Sequence, residues 1–305
     1  MTKKHAIKHE VKKELSFLDK AKAYYFKEYM RLFYGLIILF LISVGFLLFN
    51  YMNTGEFTKR DVSLKGGTSL VINTDFSDIN GLEESIKEKY PDASLNFRTI
   101  EEKGKTIGII IEATDIEESQ LLESVGEKVE LNKNNYNVES MGSSLGDSFF
   151  RQMFVALLFA MVFMGIVFQL YFRNLHATFA AIFSAFMNIF ITFAIMVALD
   201  VRLTAGGIAA YLMLIGYSVD TSILLSTKIL KDKGELESKL FGAMRTGLTM
   251  SVAGIFATGV SYLVTNNVIL KQIMLILIVG LLIDILTTWI GNVAFLRMKM
   301  EKKNV

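Results

Sequence analysis

Six apolar runs, each about as long as a bilayer is thick, constrain this chain more than anything else in it. Leu32 to Met52 carries no formal charge. A hydrocarbon core takes about 20 residues of helix. Inside lipid every backbone polar group must find its partner within the segment, so such a run is helical. Five more follow: Met153–Phe172, Thr178–Leu199, Leu203–Leu230, Phe241–Thr265 and Val268–Leu296. The first is a retained span rather than a signal peptide. A charged segment precedes it, and Phe49-Asn50-Tyr51 stands where a cleavage site would need small residues. Mean hydropathy is +0.42 and 52% of residues are hydrophobic, yet charged residues still make up 20%. Both averages hold together only if apolar and charged residues are segregated along the chain.

The charged part lies between the first two runs. Asn53 to Ser148 has ten Lys/Arg against nineteen Asp/Glu, a net of −9. Strand-like segments occur at 67–73, 94–100, 105–112 and 136–140. Helix-like segments occur at 81–89 and 116–129, the second with apolar residues at 116, 121, 122, 125 and 129. The order β-α-β-β-α-β is that of the ferredoxin-like split unit, an antiparallel sheet with two helices on one face; another small α+β arrangement is the alternative. The fold class is thus an α-helical polytopic membrane protein with six transmembrane helices and one extracytoplasmic α+β, ferredoxin-like domain between helices one and two. The expected divisions are a basic segment 1–31, helix one 32–52, the α+β domain 53–148, a five-helix bundle 149–298 and a tail 299–305.

Charge sets the expected orientation. Residues 1–31 carry nine Lys/Arg and four Asp/Glu. Lys228, Lys231, Lys233 and Lys239 surround the loop after helix four, and Arg297, Lys299, Lys302 and Lys303 follow helix six. The opposite loops hold only Arg202 and, just inside helix six, Lys271. The positive-inside rule places both termini in the cytoplasm and the α+β domain outside a cell membrane. Ile7, Val11, Leu15, Leu18 and Tyr25 fit a helix lying on the cytoplasmic bilayer surface; a solvated basic tail fits the same residues.

Composition excludes several chemistries. No Cys means no disulfide, no thiol catalysis and no thiolate metal site. Three scattered His do not suggest a metal centre. A formal net charge of +2 gives no footprint for nucleic acid. No G-x-x-x-x-G-K-[ST] loop is present. The expectation is a protein that is not an enzyme and holds no cofactor or metal.

The ionisable residues inside the apolar runs are the candidate site. Asp220 lies within helix four and Asp284 within helix six. An ionised carboxylate at the bilayer centre costs roughly 2.5–3.5 kcal/mol on the lenient scale, so it faces the bundle interior, finds a partner or is protonated. Gly206, Ala209, Met213, Gly216 and Thr227 share the Asp220 face, and Gly280, Thr287, Thr288 and Gly291 share that of Asp284. Small residues let helices approach and hydroxyls offer hydrogen bonds, which favours the interior for both carboxylates. Arg245 is the candidate cation, although the small-residue stripe Gly247, Ser251, Gly254, Thr258 and Ser261 lies roughly opposite to it on helix five. A hydrogen-bonded packing role is the alternative for both carboxylates.

These residues resemble a known family. One helix, an outer domain and five further helices is the layout of SecF, partner of SecD in a protein-export membrane complex. Leu64-Lys-Gly-Gly-Thr-Ser69 resembles the family's Gly-Gly motif, and Val138-Glu-Ser-Met-Gly-Ser-Ser-Leu-Gly146 the stretch before helix two. Gly216-Tyr-Ser-Val-Asp-Thr-Ser-Ile-Leu224 resembles the acidic helix-four motif, and Ala243-Met-Arg-Thr-Gly-Leu-Thr-Met-Ser251 the helix-five Arg-Thr motif. The Asp-Phe-Thr lead common in bacterial members is missing, Asp220 follows Val directly, and the loop between helices four and five is short, which points to an archaeal-type SecF. The resemblance implies partnership with SecD and the SecYEG translocon, contact with exported polypeptide chains, and assistance to late export by proton motive force. It makes Asp220, Arg245 and Asp284 ion-coupling candidates and Gly66, Gly67 and Gly216 motif positions. Gly66-Gly67 is either a hinge between helix one and the outer domain or a close-packing point.

Overall fold

The computed structural model describes residues 17–303 apart from 77, 92, 94, 103–104, 115, 133–134 and 266. A short helix α1 (Phe17–Lys27) leads into α2 (Tyr29–Thr54), which ends at Gly55 in the left-handed conformation. After one turn of helix, α3 (Val62–Lys65), the chain forms β1 (Gly67–Ile72), α4 (Ile79–Lys89), β2 (Leu95–Glu102), β3 (Lys105–Ala113), α5 (Glu118–Gly126) and β4 (Tyr136–Met141). Five long helical segments follow: α6 (Ser143–Phe172), α7 (Leu175–Ala198), α8 (Ala205–Leu230), α9 (Leu236–Val264) and α10 (Val268–Leu286). The last continues through a π turn (Thr287–Asn292) into α11 (Val293–Lys303). Among the described residues six helices are long and apolar enough to cross a membrane. Of the N-terminal amphipathic pattern, Ile7, Val11 and Leu15 lie outside the described residues, and the part from Phe17 is helical.

The sheet is antiparallel with strand order β2-β3-β1-β4, so β1 pairs with β3 and β4, and β3 also with β2. This is the split β-α-β-β-α-β arrangement. Alternation sorts its faces. Leu70, Ile72, Ile109 and Ile111 are fully buried with Leu82 and Ile86 of α4 and Leu121 and Val125 of α5. Each such side chain contributes about 1.5–3 kcal/mol on leaving water. Ser69, Val71, Ile110 and Glu112 project from the other face, and that face sits on the end of the helix bundle. There Asp61 donates its N–H to the carbonyl of Leu203 (2.9 Å), Leu203 donates to Lys59 (2.8 Å), and Lys59 pairs with Asp200 (2.8 Å).

Inside the bundle α7, α8 and α10 are central, while α2, α6 and α9 are largely uncovered by the chain. Phe154, Leu158, Val162 and Leu170 of α6 are exposed apolar residues, as expected on a lipid-facing surface. Trp289 of the π turn is buried against Gly247 of α9, where a larger side chain would collide with the ring. Thr204 caps α8 by accepting from Gly207 N–H (2.9 Å), and Asn267 caps α10 by accepting from Leu270 N–H (3.0 Å). The N-terminal helix is tied down as well. The guanidinium of Arg297, 5% exposed, lies over the rings of Phe26 (4.1 Å) and Tyr29 (3.9 Å) and donates to the Phe26 carbonyl (2.8 Å).

Gly66 and Gly67 occupy a close crossing. Their φ values are 88° and 124°, a region other residues enter only with strain. A Cβ at Gly146 in the first turns of α6 would stand 2.7 Å from the Gly66 nitrogen. The geometry supplies a packing requirement at the pair. Replacing either Gly66 or Gly67 by Ala is expected to destabilise the protein by about 1–3 kcal/mol, read as a lowered melting temperature of the full chain in detergent. Unchanged melting in both variants would remove the packing requirement.

Candidate functional site

The six residues singled out in the sequence fall in three places. Asp284 is enclosed: it is 1% exposed, midway through the bundle and one turn before the π turn. Asn188 of α7 donates its amide to one carboxyl oxygen (3.2 Å), and the Thr288 hydroxyl reaches the same oxygen (3.3 Å). Thr221 of α8 reaches the other (3.0 Å). Thr192 donates to the Asn188 side-chain carbonyl (3.2 Å), fixing the orientation of that amide. One turn further on, Asn292 donates to Ser222 (3.0 Å). A track of hydroxyls and amides therefore runs between α7, α8 and the π turn. Among the described residues no Lys or Arg pairs with Asp284. π turns recur at functional positions in helices.

Asp220 is placed differently from the expectation. Its side chain lies on the face of α8 that this chain leaves uncovered, with Ala209, Met213, Gly216 and Tyr217. Gly206, at the start of that face, packs against Ile269 and Ile273 of α10, but from Ala209 to Asp220 the face is not an interface within the chain, and Gly216 has nothing within contact distance of where a Cβ would be. Arg245 is also uncovered, on the side of α9 facing away from α10, while Gly247, Ser251 and Thr258 of the small-residue stripe face inward. Among the described residues neither Asp220 nor Arg245 has an ion-pair partner. At 1.5 Å per residue Asp220 lies about 15 Å from the end of α8, and Arg245 about 14 Å from the start of α9 at that same end of the bundle. The two sit at one depth on neighbouring helices. Gly66 and Gly67 lie well away, at the junction with the sheet.

The two membrane carboxylates lie on different sides of α8. Asp220 points out, and the next residue, Thr221, points in and touches Asp284. The sequence reading missed Asn188, although an amide inside an apolar run was its signal. It also missed Glu112, Arg98 and Arg202 at the junction. Glu112 of β3 is 4% exposed and accepts from Arg98 of β2 and from Arg202 of the α7–α8 loop, with Asn96 donating as well (3.1 Å).

The contacts rank the residues by their effect on stability. Asn188→Leu strips a donor from a buried carboxyl, and a cost of about 1–3 kcal/mol is expected. Asp220→Asn, on an uncovered face, is expected to stay within about 0.5 kcal/mol. Thermal melts of the two variants in one detergent check the order; equal melting points would contradict it.

Comparison with known proteins places this geometry. The sequence model of the family described as protein export membrane protein SecD/SecF, C-terminal, matches residues 121–302. A protein-export membrane protein SecF of Methanothermobacter thermautotrophicus is 47% identical over 110 residues, 34% of this chain and 38% of that protein. The SecF of Methanolacinia petrolearia is 40% identical over 103 residues, 33% of this chain and 36% of that one. That of Thermococcus gammatolerans is 43% identical over 100 residues, 32% of each. The aligned stretch thus spans roughly a third of the length of these relatives. In fold, the chain is similar to the crystal structure of SecDF, a translocon-associated membrane protein from Thermus thermophilus. The TM-score is 0.72 at 14% identity, covering 90% of this chain and 38% of that one. It is also similar to SecDF in a super-membrane-facing form, with a TM-score of 0.59.

Proposed function

The chain belongs to the SecD/SecF family of protein-export membrane proteins, and from that premise we propose that it is an auxiliary, non-enzymatic subunit of the Sec export machinery. It assists the late translocation of secreted polypeptides across the cell membrane, working with SecD and the SecYEG translocon. Its termini are cytoplasmic and its α+β domain is outside, as the distribution of Lys and Arg favours.

The observation that carries this reading is the pair Asp220 and Arg245. A carboxylate and a guanidinium stand at one depth in the membrane, on neighbouring helices, on a face their own chain leaves uncovered. Charges in that position are costly against lipid and call for a second polar surface. SecD fits the requirement, because this chain corresponds to 38% of the solved SecDF chain and a second membrane unit would supply the remainder. Ion passage between two such surfaces has energy to give: one charge crossing 100 mV yields about 2.3 kcal/mol. That free energy can bias the outer domain between two poses.

Two measurements test the proposal. Detergent capture of the full chain from its native membrane is expected to recover SecD and SecY. Asp220→Asn keeps the size of the side chain but removes its charge. It is expected to leave that capture unchanged while secretion falls about tenfold or more, the order a loss of about 2.3 kcal/mol allows. Failure to recover SecD and SecY would reject the export assignment. Normal secretion with Asp220→Asn would reject ion coupling at this residue and leave the chain a structural subunit.

A further inference from the structure

At the end of the bundle opposite the sheet, the turn between α6 and α7 and the C-terminus of α8 enclose a cavity of about 670 Å³. Small-ligand sites have volumes of about 300–1,000 Å³. Arg173, His176 and Lys231 line the cavity together with Gln169 and Asn174, and among the described residues no carboxylate belongs to its wall. Arg173 follows α6 in the left-handed conformation, φ 48°, a position more often given to Gly or Asn. The sharp turn made there brings Arg173, Asn174 and His176 to the cavity from one side, while Lys231 arrives from the end of α8.

The cations of this cavity are unspent. The Lys231 ammonium lies over the ring of Tyr171 (3.5 Å) and near that of Phe172 (5.2 Å). Aromatic faces hold an ammonium in place without neutralising it. The neighbouring lysines are engaged elsewhere: Lys228 pairs with Asp232 (2.9 Å), and Lys239 donates to the Ile229 carbonyl (3.1 Å). Among the described residues no carboxylate pairs with Arg173, His176 or Lys231. Thr178 donates to the side-chain oxygen of Gln169 (2.9 Å), which fixes that amide and leaves its N–H groups to give. The backbone does not set the sign of the site. One helix N-terminus and two C-termini meet here, a net of about half a negative charge, against full positive charges on Arg173 and Lys231. A guanidinium fork and a mobile ammonium together suit the oxygens of a phosphate.

Apolar surface leads away from the same cavity. Leu175 lines it and is 73% exposed. Phe179, one turn further along that face of α7, is 57% exposed. Both belong to a membrane span, so hydrocarbon is what they meet. A soluble phosphate has nothing to lay on that surface, whereas a lipid has its chains. We propose that the cavity binds the phosphate headgroup of an anionic membrane lipid. Arg173 and Lys231 take the phosphate oxygens, His176 and Gln169 donate beside them, and Leu175 and Phe179 meet the start of a hydrocarbon chain. Basic hollows between helix ends suit such headgroups. The distribution of Lys and Arg favours the cytoplasmic leaflet for this end of the bundle. The inference rests on the cavity alone and stands whether or not the export role does.

Native mass spectrometry of the full chain in detergent tests it by counting bound lipids. The probes are phosphatidylglycerol, phosphatidylcholine with the same chains, and inorganic phosphate. The wild-type chain is expected to retain one phosphatidylglycerol about tenfold more tightly than phosphatidylcholine, and inorganic phosphate is expected not to displace it. Arg173→Gln with Lys231→Gln is expected to weaken phosphatidylglycerol about tenfold and to leave phosphatidylcholine unchanged. Lys20→Gln with Lys233→Gln removes the same charge from exposed residues away from the cavity and is expected to change neither. Equal losses in the two double variants overturn the inference, leaving only a diffuse basic surface. A wild-type chain without preference between the two lipids overturns it as well. Displacement by inorganic phosphate does the same, because the site would then serve a soluble anion. If the cavity double variant fails to fold, Lys231→Gln alone is expected to weaken phosphatidylglycerol about threefold or more, and an unchanged affinity there rejects the site.

Discussion

The cost of a carboxylate in hydrocarbon organises this protein. A segment that must be apolar to cross the bilayer tolerates Asp only where polar groups replace water. For Asp284 the chain supplies those groups itself: Asn188, Thr221 and Thr288 converge on it, and Thr192 holds Asn188 in place. The three central helices are thereby fixed in register at one level. For Asp220 the described residues supply no ion-pair partner, and its surroundings on α8 form an open face. The same residue chemistry yields a completed site on one side of α8 and an incomplete one on the other.

At the junction with the α+β domain the same constraint operates with a different solution. A ferredoxin-like sheet covers one face with its own helices and leaves the other to water or to a partner. Here the partner is the end of the bundle. Docking buries Glu112, and the protein compensates with Arg98 from the sheet and Arg202 from the membrane side. A guanidinium suits the task because its planar fork stays charged and can serve two acceptors. The sparse basic residues at this end of the bundle thus include one with a specific structural role.

Much of the architecture was legible from periodicity. Strand alternation located all four strands to within two residues, because one face of each packs on α4 and α5. Apolar length located the six membrane helices, because each must cross the same thickness of hydrocarbon. Which way Asp220 faces was not legible. Gly216, Met213 and Ala209 announce a helix contact, but a small-residue face looks alike whether its partner is in the same chain or in another. The burial of Glu112 was hidden too: alternation put it on the polar face of β3, and only the long-range placement of the domain turns that face into an interior. Asn188 carries no charge to mark it within its apolar run, yet in lipid a neutral amide also needs partners, and it finds them in Asp284 and Thr192.

Helix α8 draws these places together. It begins just after Arg202, and its cap, Thr204, bonds the glutamine that in turn holds the Arg202 carbonyl. About four turns along, at 3.6 residues per turn, it presents Asp220 outward and Thr221 inward to Asp284. A helix with its backbone hydrogen bonds intact moves as a rod, so a displacement at the level of Asp220 is felt at Arg202 without an intermediate hinge. The hydrogen bonds that satisfy Asp284 in the bundle and the charge compensation of Glu112 under the sheet are then two ends of one rigid element. A change in either must be accommodated by the other or by breaking the Arg202–Glu112 contact. That contact lies outside the hydrocarbon, where water can take over the lost hydrogen bonds. It is therefore the less costly of the two to give up.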